Sequence, residues 1–90
     1  MPPKTKEHIA TWVARAVGET SQIEGTGSSV NVSATYVANA GDYETVLVRA
    51  KGLSIPLDER FSATVDDRDI QFMALEDRGE DQYLLRVKVD

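Results

Sequence analysis

The chain contains no cysteine and a single histidine, His8. The first absence excludes disulfides, thiolate metal sites and a cysteine nucleophile. The second leaves one side chain whose ordinary titration falls near neutral pH. A general base needs an orienting partner and a nucleophile within reach, and no Gly-x-Ser-x-Gly elbow or comparable pairing accompanies His8. It reads as a surface or capping residue, and the chain as a non-enzyme. Long apolar runs are also missing. The longest are four or five residues, against the roughly 20 that a membrane helix needs. Met1 is followed by Pro2, Pro3 and Lys4 with no apolar stretch behind them, so this end does not read as a signal peptide. Small secreted domains often depend on disulfides, and their absence points to a reducing, cytoplasmic setting.

Basic residues are scarce. Ten Lys and Arg face fifteen Asp and Glu, for a net charge of −5. That field favours solubility and opposes non-specific binding to nucleic acid or anionic membrane, so neither is expected as a direct partner. The chain is nonetheless 41% hydrophobic, too apolar for a disordered segment. Ninety residues make one domain, 1–90, that buries only about 60–65% of its unfolded surface.

What is present is one helical pattern followed by strand-like patterns. Ile9, Trp12, Val13, Ala16 and Val17 fall at i, i+3, i+4, i+7 and i+8, one face of a 3.6-residue period. Thr5 is a suitable N-cap and Glu7 suits the positive end of the helix dipole. Gly18 is a weak point, costing about 1 kcal/mol relative to alanine inside a helix. Gly25 is a stronger stop, and the helix is expected over 5–23. Trp12, the only tryptophan, lies on the apolar stripe and is expected to be a core anchor.

Beyond the Gly- and Ser-rich stretch at 25–29 the period becomes two. Strands are expected over 29–38, 43–50, 61–66, 70–75 and 82–89, separated by turn residues such as Gly41, Asp66, Asp67 and Gly79. The first two read as a hairpin and the last three as an antiparallel meander. The predicted fold is α+β: one amphipathic helix packed across a twisted antiparallel sheet of about five strands.

Each chemical motif falls short of its requirements. The stretch 25–29 offers backbone donors for a phosphate, but a phosphate loop runs from strand to helix and carries a lysine. Here the order is helix, loop, strand. The carboxylates cluster at Asp58 and Glu59, at Asp66, Asp67 and Asp69, and at Glu76, Asp77, Glu80 and Asp81. None has the alternating acids and glycine of a calcium loop, so no metal or other cofactor is expected. Arg86 and Lys88 share one strand face with Tyr83 on the opposite one, which is not the aromatic-plus-basic platform of a single-strand binder.

An apolar surplus remains. One helix covers one face of a sheet, yet Val46, Val48, Met73, Leu75 and Leu84 oppose neighbours that are also apolar. Either the segment 52–60 seals the second face or another chain does. These five residues, with Asp66, Asp67, Asp69, Glu76 and Asp77 as an acidic complement, are the candidate partner-binding set. The reading is a small soluble protein–protein interaction module, adaptor-, chaperone- or inhibitor-like, acting through a sheet face or edge on another protein or on itself as a homo-oligomer. The alternatives are an acidic charge mimic that inhibits a nucleic-acid-binding protein, and a structural assembly component.

Overall fold

A computed structural model describes residues 5–20 and 32–90. The element order is α1 (Lys6–Glu19), β1 (Ser33–Ala40), β2 (Tyr43–Arg49), β3 (Arg60–Val65), β4 (Arg68–Gly79) and β5 (Gln82–Val89). The five strands form one antiparallel sheet in the order β1-β2-β5-β4-β3. The helix packs on one face of it, as the sequence pattern predicts, and the sheet does not close.

Thr5 caps α1: its hydroxyl accepts the backbone N–H of His8 at 3.2 Å. The helix runs through Gly18 and ends at Glu19, where Thr20 donates its hydroxyl to the Ala16 carbonyl at 2.7 Å. The helix expected to 23 stops short, because Thr20 is already extended (φ −91°, ψ 109°); positions 21–23, the 25–29 stretch and the expected strand start at 29–31 lie outside the described residues. The buried stripe is the expected one: Ile9, Trp12, Val13, Ala16 and Val17. These side chains share a core with Val46, Val48, Ile70, Phe72, Ala74, Leu85 and Val87 from the sheet, where the Phe61 and Phe72 rings stack at 5.4 Å.

The turns follow hairpin chemistry. Asp66 and Asp67 (φ 51° and 64°) separate the paired residues Val65 and Arg68, and Glu80 and Asp81 (φ 54° and 62°) separate Gly79 and Gln82. Two consecutive left-handed residues match the right-handed twist of the flanking strands, the type I′ solution. Several boundaries differ from expectation: β1 runs to Ala40, two residues past the expected end, β4 begins at Arg68, two before the expected start, and the end of β4 differs most. Glu76 to Gly79 was expected in a turn, but β4 continues through Gly79 by means of two register shifts, between Ala74 and Glu76 and between Asp77 and Gly79. Each bulge absorbs one extra residue, so the strict alternation by which a strand is recognised is lost there.

The segment between β2 and β3 passes from the middle of the sheet to its far edge. Leu53 and Ile55 are buried and belong to the same core as the helix stripe. Leu57 bridges Ala74 in parallel, and the Asp58 N–H donates to the Ala74 carbonyl at 3.0 Å. This segment therefore adds to the helix side of the sheet, and among the described residues no element covers the second face.

Candidate functional site

The open face is built from the other parity of the same strands. On it stand Tyr43, Thr45, Leu47 and Arg49 from β2, Leu84, Arg86 and Lys88 from β5, Asp69, Gln71 and Met73 from β4, and Arg60, Ser62 and Thr64 from β3. Pairing register sets them in rows. Arg60, Met73, Arg86 and Thr45 are directly opposed in one row, and Ser62, Gln71 and Lys88 in the next. The two rows line a groove of about 270 Å³, and Tyr43 closes its β2 side. The Arg86 guanidinium lies 4.6 Å from the centre of the Tyr43 ring, an arrangement in which the ring quadrupole attracts the cation.

The electrostatics of this groove run against those of the whole chain. Arg60, Arg86 and Lys88 are gathered on two adjacent rows, and among the described residues none of the three forms an ion pair. Asp69 lies one row beyond Gln71 and accepts a hydrogen bond from Thr64 at 3.4 Å. At the other end Glu76 is paired with Arg78 at 3.4 Å. Two cationic rows are thus bracketed by acids along β4.

The expected partner-binding residues divide. Met73 and Leu84 lie on the open face, both partly buried. Leu75 sits at the β4 bulge, where it is exposed. Val46 and Val48 do not belong to the surface: both are wholly buried in the core, opposite Leu85 and Tyr83 of β5. The physical reason is that β2 is apolar on both parities, with Leu47 between the two valines, so alternation alone does not say which set meets the helix. A second correction concerns Tyr83. It lies on the face opposite Arg86 and Lys88, as expected, and is buried there, but an aromatic ring does accompany the basic residues: Tyr43, from the neighbouring strand.

The acids also divide. The Asp66–Asp67 turn and the Glu80–Asp81 turn stand at opposite ends of β4, with Asp69 near the first and Glu76 and Asp77 near the second. Asp66 is engaged: Oδ1 accepts from Arg15 Nη1 at 3.0 Å and Oδ2 from Trp12 Nε1 at 3.3 Å. The Arg68 guanidinium lies 4.6 Å from the Trp12 ring centre and donates to the Asp90 carbonyl at 3.0 Å. His8 stacks on the Trp12 ring system at 5.6 Å, with Nδ1 2.9 Å from the Thr5 hydroxyl. These contacts tie the helix to the β3–β4 turn and give Asp66 and His8 structural work. Tyr36 donates its hydroxyl to Glu44, and that hydrogen bond, with burial and the carboxylate charge, raises the Tyr36 pKa above its ordinary value.

Among the described residues no group of three His, Cys, Asp or Glu is placed to hold a metal ion, and no helix is long and apolar enough to cross a membrane. Compared with protein-family models, curated proteins and solved structures, the chain matches none.

Proposed function

We propose that the protein is a non-enzymatic protein-binding module that engages its partner through the open sheet face. The observation that carries this reading is the second face, which no described element covers and on which the partly buried Leu47, Met73 and Leu84 stand beside Tyr43 and the cations Arg60, Arg86 and Lys88. Aromatic residues, Met and Arg are the types enriched in interface cores. The face is built on hydrogen-bonded strands, and a site whose backbone is already ordered costs less to bind than a loop that must be ordered first.

The same chemistry favours a different protein over a second copy. A two-fold contact places one patch against itself, and here it would set three uncompensated cations against three more. The charge-mimic alternative gains little support, because its acids are split between the two ends of β4 and Asp66 is already bonded to Trp12 and Arg15.

The test is capture of a stoichiometric partner by tagged protein, compared with Leu84→Asp and Leu47→Asp. Both substitutions place a charge in the centre of the face without touching the core. Loss of the partner in both, with an unchanged circular dichroism spectrum, is the expected result. Retention in both would sink the open-face reading.

A further inference from the structure

We propose that the groove between Arg60, Arg86 and Lys88 binds a short extended acidic segment of a protein partner, with carboxylates at alternate positions. The inference rests on the open-face reading and specifies the partner's chemistry. Arg86 and Lys88 are two residues apart on one strand, so their attachment points are separated by about 6.7 Å. Same-side residues of an extended peptide have that same spacing, so acids at i and i+2 would meet Arg86 and Lys88 together. Arg60 stands two strands away across Met73, about 10 Å from Arg86. It is placed to close on the peptide from the far side. The side chain between the two acids points away from the sheet, so the groove reads the acids and not the residue between them.

Charge complementarity selects this occupant. In a chain of net charge −5, three cations on neighbouring rows that form no ion pair among the described residues leave a local positive field that an anion would satisfy. The extent of that field selects a short ligand. Asp69 and Glu76 bracket the cationic rows, so a long polyanion such as a nucleic-acid strand would have to cross both acids against the overall charge. A segment with two or three carboxylates ends before it reaches them. Arginine suits the role because its planar guanidinium can grip a carboxylate with two parallel hydrogen bonds.

The experiment is fluorescence anisotropy with a labelled short peptide carrying Glu-x-Glu and a control of the same composition with the two glutamates adjacent. The alternating peptide is expected to bind more tightly, and binding should weaken as sodium chloride is raised. Arg60→Gln and Lys88→Gln should each reduce affinity roughly tenfold, the loss of one hydrogen bond between charged groups. Lys88 is exposed, so its substitution leaves the fold intact and keeps the test decisive if Arg60→Gln does not.

Equal binding of the two peptides, or no effect of Lys88→Gln, would overturn the proposal. So would displacement of the peptide by inorganic phosphate at equal concentration, or tighter binding of a single-stranded oligonucleotide. Self-association abolished by Lys88→Gln would also overturn it and give the groove to the acidic turns of a second copy. Partner capture separates this inference from the reading beneath it. If capture survives Arg60→Gln and Lys88→Gln but is lost in Leu84→Asp, the acidic-segment inference fails and the open face stands. If all three variants retain the partner, both fail.

Discussion

The two faces of the sheet are made by the same strands, residue by alternate residue, yet they have opposite character. On the helix side Val46, Val48, Ala74, Leu85 and Val87 are completely excluded from solvent. On the other side their chain neighbours Leu47, Met73, Leu84 and Arg86 are only partly buried. Burial on the first face follows from area: apolar side chains there meet both the helix stripe and the crossing segment with Leu53 and Ile55. No element of the described chain reaches the second face, so its apolar atoms stay near water and its cations stay unpaired. The packing that stabilises the fold is concentrated on the helix face, and the residues of the other face take little part in it.

The sharpest way to break that division is at the helix. Trp12 is 2% exposed and anchors the stripe, so Trp12→Ala should cost about 3–5 kcal/mol. In a domain whose total stability is of the order of 5–15 kcal/mol this could unfold a large fraction of the molecules. Urea denaturation followed by circular dichroism would measure it, since the variant has no tryptophan to report. A loss below 1 kcal/mol would mean that the helix contributes little to the covered face.

Adjacent residues on β5 give the cleanest contrast. Leu85→Ala, which empties a fully buried site, should cost about 2–5 kcal/mol, whereas Leu84→Ala, on the open face, should cost less than about 1 kcal/mol. Equal losses in chemical denaturation would show that the second face is sealed in solution.

A smaller effect is expected at the rim that joins the faces. Glu80 holds φ at 54°, a left-handed conformation that disfavours side chains with a Cβ by roughly 1–2 kcal/mol. Glu80→Gly should therefore raise stability by about 0.5–1 kcal/mol, the part left after the added freedom of the unfolded chain. A lower midpoint in urea would show that the glutamate side chain makes a compensating contact.

The smallest expected change is a pH dependence at the edge of the covered face. Tyr36 has its pKa raised by its hydrogen bond to Glu44, then by burial and by the carboxylate charge. A raised folded-state value means that the unfolded chain loses this proton first. The stabilisation is fully present below the unfolded value near 10 and is lost as pH rises through the folded one. Denaturation midpoints on either side of that window should fall more in the parent protein than in Tyr36→Phe. The same fall in both would remove Tyr36 as the cause.

Much of this fold was legible in the sequence because its signals are local. The spacing from Ile9 to Val17 specifies a helix face whatever lies beneath it, and paired acids between alternating runs mark tight hairpins. The closing meander followed from short polar turns. Bulges were not legible: the shifts in β4 carry Asp77 and Arg78 into a strand without the alternation that would announce one.

The candidate site was legible only in part. The place of Met73 and Leu84 opposite the core is legible because apolar residues on both parities of a strand imply two kinds of neighbour. Val46 and Val48 were assigned to the wrong side of that distinction, since Val46, Leu47 and Val48 are all apolar and only register against β5 orders them. The groove itself had no signature. Arg60, Tyr43, Arg86 and Lys88 lie on three strands up to 45 positions apart, and nothing along the chain relates them.

By itself the sequence determined that this protein builds one amphipathic helix, short strands with tight acidic turns, and a surface with more acid than base. Those properties depend on neighbours within a few positions, where backbone preference and side-chain period act directly. The tertiary structure alone decided which parity of each strand meets the helix, and that the crossing segment joins the core and not the second face. It also decided that three scattered cations share one groove. Each of these is a matter of strand order and register, which are fixed only when distant segments pair.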